Sequence, residues 1–313
     1  MRLVFCGSPP FATAILERLI EGPHRPVAVV TQPTRAAGRG RGHKPSPVAE
    51  LAKGAQIEVL APDSLKDEAF RSRLAEIAPD LALVASYGEL IDRQLLAVPK
   101  LGWINVHGSL LPRWRGASPV QAAILAGDAT TGVSIQRVVR RLDAGDVCHA
   151  IETPIGERET GGELTERLSD LGARAAVEAL ELIAAGAAEF VPQDRQQITK
   201  CSKLTKADGR LDWALPAIEL ERRVRAMTPW PGATTTLPGG EALKLAQVGI
   251  RESIEGAPGE VRLVDGQPQV RAGEGSLALE RVQPPGKRVM DAGDWWRGAR
   301  LEEGLLLGGE VQT

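Results

Sequence analysis

The sequence predicts an α/β protein with a doubly wound, mostly parallel sheet in a larger N-terminal domain and a smaller, OB-like β-barrel domain at the C-terminus. Short apolar runs alternate with segments of helical periodicity between residues 3 and 185, which is typical of strands joined by crossover helices. Beyond residue 213, short strand candidates follow one another closely with turn residues between them, as in small barrels. The length of 313 residues also favours two domains.

The N-terminal elements are predicted in chain order from these periodicities. Apolar runs predict strands at 3–6, 27–30, 57–60, 81–85, 104–107 and 132–138. Helical spacing of apolar residues predicts helices at 11–20, at 48–53, over a stretch ending near residue 77, at 120–125 and at 163–185. Ser46-Pro47 has the pattern of an N-cap and first helical residue. Ser64 and Asp67 form a capping-box pattern, and Gly186 is typical of a helix end. This alternation favours a Rossmann-like sheet covered on both faces.

A polar stretch separates the two predicted domains. We assign residues 1–188 to the N-terminal domain, 189–212 to a linker and 213–313 to the C-terminal domain. In the C-terminal domain the pattern predicts one helix at 218–227 and strands near 243–249, 260–264, 268–272 and 276–282. Turn signals lie at 265–266 and 273–275.

Composition excludes several classes of protein. The formal net charge of −2 gives the whole chain no preference for polyanions, so a nucleic-acid partner would need a local basic patch. Cys6, Cys148 and Cys201 are far apart, without the spacing of a zinc site or a disulfide framework. The apolar run at 3–6 is too short for a signal sequence or a membrane span. We therefore predict a cytoplasmic protein without metal or membrane association.

Two glycine-containing segments do not match nucleotide-binding motifs. The first strand is followed by Gly7-Ser8-Pro9-Pro10, which lacks the second glycine of the dinucleotide fingerprint. The GRGRG run at 38–42 is not placed between a strand and a helix, and it lacks the Lys-Ser/Thr pair of a P-loop. A nicotinamide-dependent dehydrogenase is therefore not expected.

The most informative stretch is GWINVHGSLLPRWRGASPVQ at 102–121. Asn105 and His107 are two apart on a predicted strand, so they share a face, and they lie at its carboxyl end, where open α/β sheets bind ligands. An amide that donates to a developing oxyanion and an imidazole that shuttles a proton suit acyl transfer. Asp143, just past the next predicted strand, could set the charge of the imidazole. A hydrogen-bonded bystander histidine and an aspartate with only a turn role are also compatible with this spacing.

The run NVHGSLLPRWRG at 105–116 resembles the signature of the 10-formyltetrahydrofolate-dependent formyltransferases. The resemblance extends over nearly the whole chain and includes segments 31–33, 37–40, 45–48, 142–146 and 229–231. It implies a catalytic trio of Asn105, His107 and Asp143. It implies a folate site lined by Ser109, Leu110, Leu111 and Pro112, with main chain near Glu89, Leu90 and Ile91. No metal would be needed, because the formyl donor is already activated.

The segment TRAAGRGRGHK at 34–44 is basic, contains no acid and is rich in glycine. An arginine-rich flexible segment fits recognition of RNA ends, although a solvated surface loop has the same composition. Within the resemblance, segment 31–48 and the C-terminal domain favour the members that formylate methionine carried by initiator tRNA. The predicted tRNA contacts are Arg35, Arg39, Arg41, Lys44, Lys203 and Lys206.

Three other functions stay open at this point. The same trio could serve a sugar-nucleotide amine or glycinamide ribonucleotide, and a non-catalytic RNA-binding protein could retain a decayed folate site. The basic segment at 34–44 speaks against the first two, and the intact trio speaks against the third. We predict a monomer, because a tRNA must reach both domains.

Overall fold

The computed structural model describes residues 1–8, 11–33 and 45–308. The chain divides into two units, and each combines separate stretches of sequence. The first unit comprises Met1–Pro119, Thr130–Pro154 and Thr165–Ser202. The second comprises Val120–Ala129, Ile155–Leu164 and Lys203–Thr313, of which the structure describes residues up to 308. The predicted domain limits at 188 and 213 stay a prediction.

The helices and strands are numbered in chain order. The helices are α1 (Phe11–Glu21), α2 (Pro47–Gly54), α3 (Glu68–Ile77), α4 (Arg93–Leu96), α5 (Pro119–Ala126), α6 (Gly161–Ala184), α7 (Ala217–Met227) and α8 (Ala292–Ala299). The strands are β1 (Leu3–Gly7), β2 (Ala28–Val30), β3 (Glu58–Leu60), β4 (Leu81–Ala85), β5 (Trp103–His107), β6 (Arg115–Gly116), β7 (Thr130–Arg137), β8 (Val147–Pro154), β9 (Lys200–Cys201), β10 (Ala233–Thr236), β11 (Ala242–Arg251), β12 (Val261–Val264), β13 (Gln267–Arg271), β14 (Ser276–Gln283) and β15 (Met290–Asp291).

The first unit contains a seven-stranded sheet in the order β3-β2-β1-β4-β5-β7-β8. Strands β1 to β5 pair in parallel, whereas β7 and β8 are antiparallel to their neighbours. Every residue of β1 and β4 is buried, as expected for central strands covered on both faces. The predicted α/β class with a parallel-dominated sheet is therefore confirmed. Strand β5 lies between β4 and β7, so it is an interior strand with neighbours on both sides.

The helix ends follow from hydrogen bonds that the sequence largely predicts. The Ser46 hydroxyl accepts a hydrogen bond from the backbone N–H of Ala49 at 3.1 Å, which confirms it as the N-cap of α2. The capping-box prediction for Ser64 is wrong, because α3 begins after Asp67. Its carboxylate accepts from the backbone N–H of Phe70 at 2.8 Å. Gly186, predicted to end α6, has a φ of 68°, in the left-handed region.

Strand β8 was not predicted from the sequence. Its residues read VCHAIETP and are only partly buried or exposed, because the strand forms one edge of the sheet. Edge strands lack the continuous apolar run that marks β1 and β4. The short strand β6 lies in the loop after β5, and its parallel partner β9 lies in the predicted linker. The sequence does not predict either strand, because two residues form no apolar run or alternation.

The second unit contains a separate antiparallel sheet in the order β10-β11-β14-β13-β12, with β15 paired to β14. The predicted helix and the four predicted strands correspond to α7, β11, β12, β13 and β14. Asp265 and Gly266 both have positive φ angles, 51° and 78°, which form the two-residue turn between β12 and β13. Helix α7 packs its apolar side into the core formed by this sheet and the two tryptophans of α8. Closure of the sheet into an OB-like barrel stays a prediction.

Across the described residues, the helices are either too short or too polar to cross a lipid bilayer.

Candidate active site

Asn105 and His107 lie on the same face at the carboxyl end of β5. The antiparallel register with β7 sets Asn105 opposite Gln136 and His107 opposite Ser134. Since residues directly opposite in a sheet project to the same side, four polar side chains form a patch on that face. The residues between them, Val106 and Ile135, are buried on the other face. The alternation predicted from the sequence thus places the amide and the imidazole side by side.

Both ring nitrogens of His107 face oxygen atoms of the protein. The side chain is 6% exposed, and Nε2 lies 2.9 Å from the backbone carbonyl oxygen of Trp114. A carbonyl only accepts hydrogen bonds, so Nε2 carries a proton and donates. Nδ1 faces Oδ1 of Asp143 at 3.7 Å. This gap is longer than a direct hydrogen bond, so Nδ1 is the nitrogen left to act on a further group.

Asp143 is held against His107 by two other donors. The backbone N–H of Gly116 donates to Oδ2 at 2.9 Å, and the side-chain amide of Gln136 donates to Oδ1 at 2.9 Å. The backbone of Asp143 has a φ of 49°, in the left-handed region that aspartate tolerates better than most residues. These bonds compensate the desolvation of a carboxylate that is nearly buried.

Gln193 connects this carboxylate to a buried cation, and sequence reasoning missed it. Its amide nitrogen donates to the carbonyl oxygens of Asp143 and Gly145 at 3.1 and 2.6 Å, and to Oε1 of Gln136 at 3.3 Å. Its carbonyl oxygen accepts from Nε and Nη2 of Arg115 at 2.9 and 2.8 Å. The chain of bonds Arg115, Gln193, Gln136, Asp143 is therefore continuous. No motif marks Gln193, whereas Gln136, a buried amide in an apolar strand, was a signal that could have been used.

The electrostatics of this network reflect its burial. Burial lowers the pKa of the Arg115 guanidinium, neighbouring Arg141 lowers it further, and Asp143 opposes both. Burial raises the pKa of the Cys201 thiol, and the nearby Asp143 carboxylate raises it further. The Cys201 thiol is therefore held in its protonated form near neutral pH, where it donates weakly to the carbonyl oxygens of Trp114 and Arg115 at 3.5 Å.

The loop after β5 is fixed on the patch by Ser109 and Ser134. The Ser109 hydroxyl donates to the carbonyl oxygen of Arg113 at 2.6 Å. The Ser134 hydroxyl donates to the carbonyl oxygen of Ser109 at 2.8 Å and accepts from the backbone N–H of Leu111 at 3.0 Å. Ser109 is fully buried, whereas Leu110, Leu111 and Pro112 are half-buried. These three apolar residues thus form a partly open surface beside the trio.

The second predicted folate segment follows β4, the parallel neighbour of β5. The Glu89 carboxylate accepts from the Gln32 side chain at 3.1 Å and from the backbone N–H of Leu65 at 3.3 Å. Leu90 is 75% exposed, and Ile91 packs against the core of the unit. Because both segments follow adjacent parallel strands, they lie at the same edge of the sheet.

Of the six predicted tRNA contacts, the structure describes two. Lys203 and Lys206 are exposed at the start of the last stretch of the second unit. Arg35, Arg39, Arg41 and Lys44 lie outside the described residues. Within residues 1–8, 11–33 and 45–308 there is no group of three His, Cys, Asp or Glu side chains that could hold a metal ion.

Comparison with known proteins identifies the family. Residues 1–180 match the model described as formyl transferase, and residues 203–300 match the model of the formyl transferase C-terminal domain. A methionyl-tRNA formyltransferase of Pseudomonas fluorescens strain Pf-5 is 43% identical over 98% of this chain and 97% of its own length. The methionyl-tRNA formyltransferase of Mycobacterium sp. strain KMS is 46% identical over 96% of this chain and 98% of its own.

Solved structures share the fold at low sequence identity. HypX from Aquifex aeolicus, in complex with tetrahydrofolic acid, has a TM-score of 0.62 at 18% identity over 95% of this chain and 47% of HypX. WlaRD, a sugar 3N-formyl transferase, has a TM-score of 0.66 at 14% identity over 92% of this chain and 99% of WlaRD. The family that the run at 105–116 indicates is confirmed by the matches over both parts of the sequence. This chain belongs to the formyl transferase family.

Proposed function

We propose that this chain transfers the formyl group of 10-formyltetrahydrofolate to the amino group of methionine on initiator tRNA, giving N-formylmethionyl-tRNA for translation initiation. The observation that carries the chemistry is the 3.7 Å approach of His107 Nδ1 to Asp143 on the polar face that also holds Asn105. The acceptor is supported by relatives of the same length, which are methionyl-tRNA formyltransferases at 43–46% identity.

The methionyl nitrogen attacks the formyl carbon of the donor and forms a tetrahedral oxyanion, and the bond from that carbon to N10 breaks when this intermediate collapses. Asn105, on the same face of β5 as His107, would donate a hydrogen bond to the oxyanion on the formyl oxygen. In its protonated form, His107 would donate from Nδ1 to the same oxygen, since Nε2 is engaged by the Trp114 carbonyl. The amine proton passes to the leaving N10, which balances the transfer. Asp143, whose Oδ1 lies 3.7 Å from Nδ1, would orient the imidazole toward the reacting groups.

The folate would lie over the two loops that follow β4 and β5. Leu110, Leu111 and Pro112 offer half-buried apolar surface to a flat ring system. Between Gly88 and Ile91, no backbone amide donates a hydrogen bond to another described residue. These amides are therefore available for polar groups of a pterin, in the way that ligand pockets combine apolar walls with a few polar groups.

Acceptor choice is the decisive test. The protein is incubated with 10-formyltetrahydrofolate and, in separate reactions, methionyl-initiator tRNA, a sugar-nucleotide amine or glycinamide ribonucleotide. We expect formylation of the charged tRNA only. The His107→Asn variant in the same reactions controls for contaminating activity. Formylation of a small amine in preference to the tRNA would contradict the proposal and favour a sugar-nucleotide formyltransferase.

We further propose that the protein acts as a monomer in the cytoplasm, where initiator tRNA is charged. Light scattering at micromolar concentration, with and without tRNA, tests the stoichiometry. A stable dimer in both samples would contradict the monomer.

A further inference from the structure

The loop between β7 and β8 carries two exposed arginines directly beside the candidate site. Residues 138–142 read VVRRL, and we call them the rim loop. Arg140 and Arg141 are exposed, and the apolar Leu142 is 57% exposed. Arg141 is two residues from Asp143, at most about 7 Å along the chain. Any cation at this position is therefore close to the reacting groups.

Hydrogen bonds hold the base of the rim loop in place. The backbone N–H of Arg137 donates to the carbonyl oxygen of Asp146 at 2.9 Å, and Gln193 donates to Gly145 at 2.6 Å. Within the loop, the backbone N–H of Ala144 donates to the carbonyl oxygen of Arg141 at 3.2 Å. The guanidinium of Arg137 stacks on the ring of Phe190, with 3.7 Å to the centroid. The two exposed arginines thus project from a base that the site itself fixes.

The two arginines of the rim loop are not engaged in ion pairs with other described residues. In the described ranges, neither Arg140 nor Arg141 forms an ion pair. Lys200, paired with Arg115 between β6 and β9, is a third exposed cation without an ion pair in those ranges. Repulsion between Arg141 and the buried Arg115 contributes to the lowered pKa of Arg115. A chain with a net charge of −2 therefore carries several exposed cations without ion pairs to described residues on this part of the first unit.

A polyanion is the ligand that such a group of cations favours. We infer that Arg140 and Arg141 contact the phosphates nearest the aminoacylated 3′ end of the tRNA, while the methionyl group reaches Asn105, His107 and Asp143. This inference rests on the proposed function, because that function places the aminoacyl end at the trio. Arginine suits the contact, since its planar guanidinium forms paired hydrogen bonds with phosphate oxygens. The exposed Leu142 would lie against the terminal nucleotides.

A salt series with charge variants tests the inference. kcat/KM for methionyl-initiator tRNA is measured at several salt concentrations for the unaltered protein, for Arg140→Gln/Arg141→Gln and for Arg18→Gln. Each lost phosphate contact lowers the steepness of log(kcat/KM) against log salt by about 1. We therefore expect the double variant to lose about 2 from this slope. Arg18, exposed on α1 outside the rim loop, should leave the slope unchanged.

Two further measurements separate a phosphate contact from damage to the site. The Arg140→Lys/Arg141→Lys variant keeps the charges and should retain most of the salt dependence. With a methionyl ester of adenosine, which has no phosphate, the Gln variant should lose less activity than with tRNA. An unchanged salt slope in the Gln variant, or equal losses on both acceptors, would overturn the inference alone. If the unaltered protein formylates no charged tRNA, the proposed function fails and the inference falls with it.

Discussion

The orientation of the His107 ring determines which of its nitrogens is available for the proposed chemistry. Nε2 is occupied by the Trp114 carbonyl at 2.9 Å, and Nδ1 is left with a 3.7 Å gap to Asp143. An oxyanion next to that gap would receive a hydrogen bond from Nδ1 and another from Asn105. Preorganised hydrogen-bond donors of this kind stabilise the transition state far more than they stabilise the bound folate.

We predict that His107→Ala and Asn105→Ala each lower turnover by about 100- to 1,000-fold, the usual cost of removing one oxyanion donor. Binding of 5-formyltetrahydrofolate, a stable analogue of the donor, should change little because neither side chain belongs to the apolar surface of the pocket. Single-turnover formylation and equilibrium titration measure the two quantities. Near-normal turnover in either variant would remove that residue from the mechanism.

Gln136 is predicted to position Asp143. Its side chain is 1% exposed, and its amide donates to Oδ1, the carboxylate oxygen that faces His107. In Gln136→Met, a chain of similar length donates nothing, so Oδ1 loses its partner and the carboxylate can rotate. We expect kcat to fall at least tenfold, which corresponds to an increase of about 1.4 kcal/mol in the activation free energy, with little change in KM.

A matched control distinguishes positioning from loss of stability. Gln269 is another buried strand glutamine, in the second unit, and its Oε1 accepts from Ser276 at 3.4 Å. Loss of a buried hydrogen bond should lower the free energy of unfolding by about 1–3 kcal/mol in either variant. Gln269→Met should therefore lower the free energy of unfolding to a similar degree while leaving kcat intact. Equal kcat in the two variants would contradict the positioning role.

At the scale of elements, the pairing of β6 with β9 depends on Gly116. Its φ of 127° lies in the region that favours glycine, and a Cβ there would overlap the carbonyl oxygen of Cys201. Its backbone N–H is also one of the two donors to Asp143. This short strand pair therefore joins the loop after β5 to the segment that follows α6.

We predict that Gly116→Ala separates β6 from β9 and reduces both stability and turnover. The control is Gly186→Ala, where φ is 68° but no atom lies within 4 Å of a Cβ, so only the left-handed strain of about 1 kcal/mol remains. Urea unfolding and steady-state formylation are measured for both. Turnover that stays normal in Gly116→Ala would show that the pairing is dispensable.

The elements that the sequence predicts best are those with the simplest surroundings. Strand β4 was predicted with its observed bounds, since all five residues are buried and apolar. Strand β8 escaped prediction because an edge strand with partly exposed residues has no such run. Asn105 and His107 come from the run at 105–116 and Asp143 from the segment at 142–146, both parts of the family resemblance. Gln193 joins them through folding alone, 50 residues from Asp143 along the chain. Long-range contacts of single polar residues leave no local pattern.

For the whole molecule, acid stability is predictable from carboxylates that are hydrogen-bonded in the folded state. The backbone N–H of Arg2 and the side chain of Lys100 lower the pKa of Asp80, and the backbone N–H of Leu95 and neighbouring donors lower the pKa of Asp92. Backbone and side-chain hydrogen bonds from Thr160 likewise lower the pKa of Glu163. The unfolded chain therefore takes up protons at a higher pH than the folded one.

The free energy of unfolding should be nearly constant at neutral pH, begin to fall as the pH approaches about 4, the usual pKa of these carboxyl groups, and continue to fall below it through their lowered pKa values in the folded state. Urea denaturation at a series of pH values measures it. Asp80→Asn removes one of these carboxyl groups. The free energy of unfolding of this variant should therefore decrease less between pH 6 and pH 3.5 than that of the unaltered protein, by about the contribution of one group. A free energy that rises toward acid would contradict the assignment.

The stretch at 185–202, which follows α6, supports the candidate site through Gln193 and Thr199. Thr199 accepts from the backbone N–H of Trp114 at 2.8 Å through its hydroxyl and from that of Arg115 at 3.0 Å through its carbonyl. A shortened protein that stops at residue 188 would consequently retain the whole sheet and the trio, yet lack Gln193 and Thr199. Its histidine would face a carbonyl no longer held in place, so such a fragment should bind folate and turn over poorly. A fragment extended through Ser202 includes both residues, and we expect it to turn over faster than the shorter one.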